Sequence, residues 1–230
     1  MVKRTAKVVS HDETRIVLTG VLVSLAGSTL KLVATDSYRL AVAEAEVEQA
    51  GSEEFEAVIA GSFLQDIAAL PHSDEPITLS LNENQIIVSY QGITFINRRL
   101  EGMFPNYKQL IADGFSTRAT LSTHALADAV RRVSLLSNKI SPVQVKVDAE
   151  SGVVTLVTNS QDVGNAQENL ICEVEGESVE IAFNFTFLLD GLASIDTDAV
   201  HLDLFGSMKP GILRAADGEG FLYLIMPVRV

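Results

Sequence analysis

The chain has 230 residues, of which 47% are apolar and 20% charged, with a net charge of −13. That length suits one large domain or two small ones with a substantial core, and the apolar content excludes disorder as the main state. The negative charge argues against a protein that simply adheres to nucleic acid, whose phosphates would repel most of its surface.

The longest apolar stretch, Ile16 to Gly27, is interrupted by Thr19, Gly20 and Ser24 and runs for about a dozen residues, where a membrane helix needs about 20. No apolar signal-peptide core follows Lys3, Arg4 and Lys7 at once. The single cysteine, Cys172, makes no internal disulfide, which fits a reducing cytoplasm. Charge is uneven: Val147 to Met208 holds twelve acids and no Lys or Arg, while Lys3, Arg4, Lys7 and Arg15 crowd the start, and Arg98-Arg99 and Arg131-Arg132 stand as pairs.

Val2 to Ser10 is expected to be helical, a reading that rests on an internal repeat. It falls on Leu126 to Ser134 at an offset of 124. At the same offset LVATDS (32–37) falls on LVTNSQ (156–161), and FEAVIAGSFLQDIAAL (55–70) on VEIAFNFTFLLDGLAS (179–194), matching Phe63, Leu64 and Asp66 to Phe187, Leu188 and Asp190. LEGMFP (100–105) falls on LYLIMP (222–227) at 122. Two copies of one domain are therefore expected, over 1–106 and 118–230, with 107–117 as linker.

Ile16 to Leu25 alone fits either helix or buried strand. Its counterpart alternates Val143, Val145 and Val147 with polar residues, so both segments are expected as strands. Turns at Gly27-Ser28 and Ser151-Gly152 then make a hairpin in each copy. GSFLQDIAAL (61–70) is expected as a short helix capped by Ser62 or Gly61, followed by strands in EPITLSL and QIIVSY. In the second copy, RATLS (118–122) reads as a strand, and Thr123 to Ser137 as a helix with Leu126, Val130, Val133 and Leu136 inward and Ser122 or Thr123 at its N-cap. Cys172 is read as a small core residue in the strand-like LICEVE. NFTFLLDGLAS (184–194) is a helix capped by Asn184, AVHLDL and FLYLIMPVRV are strands, and DGEG (217–220) is a hairpin turn. The class is α+β, each copy carrying two helices packed on antiparallel sheets. The first copy begins inside its own first helix, without the opening strand of the second, so a preceding segment is expected to be missing.

No catalytic constellation stands out. His11, His72, His124 and His201 show no metal-ligand spacing, no P-loop or GxSxG occurs, and carboxylates such as Glu53-Glu54 read as surface. Two segments resist dismissal: ATDSYRLA (34–41), and an apolar C-terminus, YLIMPVRV, which must be buried or line a binding surface.

At those residues the chain resembles the bacterial sliding clamp family, the beta subunit of DNA polymerase III. VATDSYRLA is similar to the family's Thr-Asp-x-x-Arg-Leu segment, and EGMFPNYKQLI to its Phe-Pro-x-Tyr segment. FNFTFLLDGL and the terminal MPVRV match two more landmarks in the right order. The resemblance covers the second and third of three repeated domains. It implies a DNA-clamp-like tandem repeat and a processivity factor rather than an enzyme, with no cofactor, no metal and no membrane association, in the cytoplasm at the nucleoid. The partners implied are the DNA polymerase III alpha subunit, the clamp loader, other polymerases and mismatch-repair proteins, each through a short Gln-x-x-Leu-Phe-like peptide. The complete homodimeric ring would encircle double-stranded DNA, whereas this portion, lacking one ring-closing face, is expected to be a monomer.

The resemblance further implies a peptide pocket at the family's second and third domains. Carried over by position, the first copy supplies Leu18, Thr35, Ser37, Tyr38, Arg39 and Leu40. The following segment supplies Pro105, Gln109 and Leu110. The second copy supplies Asn184, Phe187, Met208 and Pro210, and the tail Leu224, Ile225, Met226, Pro227, Val228 and Arg229. The family commonly has Gly-His at Ser37-Tyr38, Tyr at Phe187 and a basic residue at Gln109. The helices would face DNA through Lys3, Arg4, Lys7, Arg131 and Arg132, with few acidic neighbours. The competing reading is a two-domain enzyme with a cleft around Asp36 and Arg39.

Overall fold

A computed structural model of the chain describes residues 1–48, 54–136, 142–160 and 164–229. Glu53 of the expected surface acids, the helix end at Ser137, Gln161 of the repeat and the terminal Val230 lie outside the described residues. The chain divides into two compact units, Met1–Asn106 and Tyr107–Val230.

Unit 1 opens with α1 (Val2–Thr5) and a 3-10 turn over Ala6–Val8. Helix was expected as far as Ser10, but Val9 is already extended, at φ −60° and ψ 151°. The chain turns there because Ser10 N–H donates to Leu18 O at 2.7 Å while Val8 and Val9 are buried.

A second correction concerns Ile16 to Thr19. These residues lie in a 3-10 turn, Glu13–Thr19, not in a strand. Asp12 caps that turn by accepting from Thr14 N–H at 3.0 Å, and Thr19 Oγ1 closes its end on Ile16 O at 2.7 Å. Strand β1 (Gly20–Ala26) starts only at Gly20. There a Cβ would stand 2.5 Å from Val58 and 2.7 Å from Leu100, so the glycine admits a close approach of neighbouring strands.

β1 forms the expected hairpin with β2 (Thr29–Thr35), which pairs in turn with β3 (Arg39–Glu46). β4 (Phe55–Ala60) lies on the other side of β1 and leads into α2 (Gly61–Ala68). α2 is capped at Ala60 with no side-chain hydrogen bond, not by Ser62 or Gly61, and buries Leu64 and Ile67 on one face. Strands β5 (Thr78–Leu81), β6 (Gln85–Tyr90) and β7 (Ile93–Leu100) complete the order β3-β2-β1-β4-β7-β6-β5. Its core includes Val21, Val33, Ala41, Ile59 and Ile86.

Unit 2 begins with a 3-10 turn, Tyr107–Leu110, whose Tyr107 is buried. β8 (Thr117–Ser122) runs into α3 (Thr123–Ser134), where Ser122 Oγ accepts from Ala125 N–H at 3.4 Å. Leu126, Ala129, Val130 and Val133 form its buried stripe at helical spacing. Then come β9 (Val143–Asp148), β10 (Val153–Ser160), β11 (Gly164–Ile171), β12 (Glu173–Gly176) and β13 (Val179–Phe183). α4 (Phe185–Leu192), β14 (Ala199–Leu204), β15 (Gly211–Ala215) and β16 (Phe221–Ile225) follow.

Two sheets result, β11-β10-β9-β13 and, within this unit, β12-β8-β14-β15-β16. Val143, Val145 and Val147 point inward as their alternation predicts. Cys172 falls between β11 and β12 rather than within a strand, and it is half-buried. Its N–H donates to Gly152 O at 2.9 Å, and burial pushes its thiol pKa up.

The repeat is visible element by element: α1-β1-β2-β3, β4-α2 and β5-β6-β7 correspond to α3-β9-β10-β11, β13-α4 and β14-β15-β16. Each unit is α+β, with two helices and antiparallel strands. Among the described residues no helix is long and apolar enough to cross a membrane.

Candidate functional site

In unit 1 the candidate residues gather at the turn from β2 into β3. Thr35 Oγ1 donates to Arg39 O at 2.7 Å and accepts from Ser37 N–H at 3.2 Å. Asp36 Oδ1 accepts from the N–H groups of Tyr38 (2.9 Å) and Arg39 (3.0 Å), while its Oδ2 takes Arg39 Nε at 2.9 Å. Arg39 Nη2 reaches Lys7 O at 3.4 Å. The Asp36 and Arg39 side chains are only 15% and 10% exposed, and both are committed to shaping this turn. That use is structural, a side-chain-to-backbone turn that the Asp36–Arg39 ion pair closes.

Leu18, Thr35 and Leu40 are buried, whereas Tyr38 is 62% exposed and Ile16, two residues before Leu18, is 55% exposed. Pro105 is exposed at the end of unit 1. One residue of this region escaped the sequence reading: Arg15, whose Nη1 donates to Ser37 Oγ at 2.8 Å. Nothing in its spacing marks it, because the contact spans 22 positions.

In unit 2, Gln109 and Leu110 are exposed near the start. Asn184 caps α4 as expected, its Oδ1 accepting from Thr186 N–H at 2.9 Å and Phe187 N–H at 3.4 Å, which fixes Phe187 on the first turn. Met208 is 55% exposed, next to the half-buried Pro210 that precedes β15. The apolar C-terminus splits in two. Leu224 and Ile225 are buried at 1% in β16 and belong to the core of the unit rather than to its surface. Met226 emerges at 37% exposure, Pro227 and Val228 are half-buried, and Arg229 is exposed. Val228 N–H donates to Ala182 O in β13 at 2.8 Å, which ties the tail to its own unit. Met226 and Met208 thus present flexible, exposed thioether side chains, and Phe187 is half-buried.

The candidate DNA-facing residues differ from expectation in their charge balance. Lys3 is exposed and Arg4 and Lys7 are half-buried. Arg131 pairs with Asp128 at 2.7 Å, and Arg132 forms a fork on Glu168 at 2.5 and 2.6 Å. The second-copy arginines therefore do have acidic partners: Asp128 stands three residues before Arg131 on α3 itself, and Glu168 reaches Arg132 because α3 packs beside β11. The hydrogen bonds from Arg132 hold the Glu168 carboxyl below the usual carboxylate range.

Among the described residues no group of His, Cys, Asp and Glu has metal-site geometry. A cavity of about 540 Å³ in unit 1 is lined by Glu83, Asn84, Gln85, Arg98, Arg99, Leu100, Glu101 and Gly102. None of the candidate peptide residues borders it. Its acids and arginines balance, and Arg99 is spent on the carbonyls of Glu56, Asn82 and Glu83.

Residues 1–106 match the model of the DNA polymerase III beta subunit, central domain, and residues 108–229 that of the DNA polymerase III beta subunit, C-terminal domain. The beta sliding clamp of Synechocystis is 34% identical over 96% of this chain, and that of Staphylococcus epidermidis is 33% identical over all of it. Among solved structures, the DNA polymerase sliding clamp of Bacillus subtilis aligns over the whole chain with a TM-score of 0.95 at 28% identity. The DNA polymerase III beta chain of Streptococcus pneumoniae does so at 0.93 and 33% identity. The chain spans about 60% of the length of these relatives, 60–62% in each comparison. Two tandem α+β units, the repeat that relates them and both domain matches agree: the chain belongs to the DNA polymerase III beta subunit family, as its central and C-terminal domains.

Proposed function

We propose that this chain is the peptide-binding portion of a DNA polymerase processivity factor. It recruits the polymerase III alpha subunit, the clamp loader, other polymerases and mismatch-repair proteins through a short Gln-x-x-Leu-Phe-like motif. Residues 1–106 and 118–230 are its two clamp domains and 107–117 the connection. It acts in the bacterial cytoplasm and is not itself a catalyst. The complete ring encircles double-stranded DNA, with Lys3, Arg4, Lys7, Arg131 and Arg132 offering loose, sequence-independent phosphate contacts. This portion alone is a monomer with little affinity for DNA.

The observation that carries the reading is the chemistry of the C-terminal segment. Buried Leu224 and Ile225 end a strand, and Met226 to Arg229 then leave it, tied down by the backbone bond from Val228 to Ala182. A tail that is apolar, partly exposed and tied down is suited to meet a partner's aliphatic or aromatic anchors. Two such anchors contribute roughly 1.5–3 kcal/mol each, and after ordering costs the affinity falls near micromolar. That strength suits partners that must exchange.

The test is fluorescence anisotropy of a labelled motif peptide titrated with the chain. Saturable binding near micromolar, abolished by scrambling the peptide, is expected. Absence of binding by chain that is folded by circular dichroism would sink the reading. Truncation after Ile225 should remove binding, whereas a chain that worked through a cleft at Asp36 would keep its ligand.

A further inference from the structure

We propose that Met208 and Met226 form an oxidation-sensitive site: a peroxide converts their thioethers to sulfoxides and so weakens peptide binding on unit 2 without unfolding it. The inference rests on the peptide-binding reading above and supplies a regulation for it.

The chain has four methionines, Met1, Met103, Met208 and Met226. Two of them come to one end of the β15–β16 pair. Gly211 is paired with Ile225, so the residues that flank this last pair, Pro210 and Met226, leave the sheet side by side. Met208 stands two residues before Pro210, in the connection from β14 to β15. It is 55% exposed, and Met226 is 37% exposed.

The backbone around Met226 is held on both sides. Ile225 before it is buried in β16, and Val228, two residues after it, donates its N–H to Ala182 O at 2.8 Å. Pro227 between them fixes φ near −65°. The thioether is therefore presented to solvent from a tied segment, where a peroxide and a peptide anchor would reach the same atom.

The step needs only a peroxide. A sulfur lone pair attacks one oxygen of hydrogen peroxide, the O–O bond breaks and an S–O bond forms. The sulfur loses two electrons, and the second oxygen leaves as water. The product is polar and chiral where the thioether was apolar and flexible. Covering that S–O group with a partner's apolar anchor strips its water and returns no hydrogen bond. The adaptable apolar contact is lost at the same time.

Two features confine the effect. Cys172 is half-buried, and burial pushes its thiol pKa up, so the thiolate that reacts with peroxide is scarce at neutral pH. Neither methionine belongs to the core of unit 2, which includes Leu213, Tyr223, Leu224 and Ile225. Met103 serves as an internal control, because it is 94% exposed but lies in unit 1 and is no candidate peptide residue.

The experiment treats the full chain with hydrogen peroxide, maps sulfoxide by mass spectrometry, and titrates a labelled Gln-x-x-Leu-Phe peptide by anisotropy. Complete oxidation at Met208 and Met226 is expected to weaken binding about tenfold, with the thermal midpoint little moved. Methionine sulfoxide reductases acting on both epimers are expected to restore it. Saturating peptide is expected to slow oxidation of Met208 and Met226 and leave that of Met103 unchanged, a readout that needs no variant. Met103→Leu should respond to peroxide as wild type does. In Met208→Leu/Met226→Leu, affinity before and after peroxide should agree within about twofold. Unchanged affinity of fully oxidised wild type, a peroxide response that survives in the double variant, peptide that protects none of the methionines, or a loss that tracks a fall in the thermal midpoint would each overturn the proposal. Untreated wild-type chain that binds no peptide overturns the peptide-binding reading and this inference with it. Untreated chain that binds, and binds equally well once oxidised, overturns this inference only.

Discussion

Arg118 and Asp203 face each other across the paired strands β8 and β14, joined by two hydrogen bonds, Nε to Oδ1 at 2.6 Å and Nη2 to Oδ2 at 2.8 Å. Asp203 is 1% exposed, Arg214 Nε approaches the same Oδ2 at 3.5 Å, and the Phe115 ring lies 4.1 Å from the Arg118 guanidinium. A buried carboxylate is tolerated only while paired. Arg118→Leu is therefore expected to cost unit 2 about 3 kcal/mol, because Asp203 keeps only the longer contact. The double change Arg118→Leu/Asp203→Leu should recover most of that loss. Urea unfolding of the four corners of this cycle checks the coupling, and a double variant as unstable as the single one would contradict it.

Thr123 begins α3 with its Oγ1 buried and without a hydrogen-bond partner among the described residues. Ser122 already caps the helix, so the Thr123 hydroxyl does nothing for the cap. Replacing an unsatisfied buried hydroxyl by a methyl of the same shape removes a desolvation penalty. Thr123→Val should stabilise the protein by up to about 1 kcal/mol, read as a rise in the thermal midpoint. A fall would mean that the hydroxyl has a partner.

Acid should loosen the attachment of α3 to β11. The Glu168 carboxyl is held below its ordinary value of 4.5, chiefly by the hydrogen bonds from Arg132. Its folded pKa is thus lower than its unfolded one, so its contribution is complete above the unfolded value and is lost as pH falls through the folded one. Asp148 is lowered in the same sense by Ser151 and the turn N–H groups. Stability should be flat from neutral pH down to the ordinary carboxylate range and decline below it. Glu168→Gln should make that acid limb shallower, and thermal melts at a series of pH values would show whether it does.

The division into two repeated halves was legible because hydrophobic alternation and turn residues recur at a near-constant offset. The Asn184 cap and the Gly27 and Gly152 turns were equally plain, each being a local signal. What escaped was local structure set at a distance. Ile16 to Thr19 has strand-like composition, yet the Asp12 cap and the Ser10–Leu18 bond bend it into a 3-10 turn. Arg132 looked lightly countered because Glu168 is 36 residues away in sequence and arrives only when β11 packs beside α3, whereas the Asp128 partner of Arg131 stands three residues before it and was open to view. Arg15 carried no motif at all, and the Ser37 hydroxyl it donates to is 22 residues away.

The tail offers the sharpest separation of binding from folding. Val228 N–H gives the hydrogen bond to Ala182 O, at 2.8 Å, that ties the segment after β16 to β13. Its side chain is only half-buried, so the backbone donor matters more than the isopropyl group. Val228→Pro deletes that donor and fixes φ near −65°, while Val228→Ala keeps the donor. The lost bond is worth about 1 kcal/mol, too little to unfold a unit whose β16 remains buried. Peptide affinity is expected to fall tenfold or more for Val228→Pro and at most about threefold for Val228→Ala. Equal effects from the two would shift the weight to the side chain, and no effect from either would remove the tail from the site.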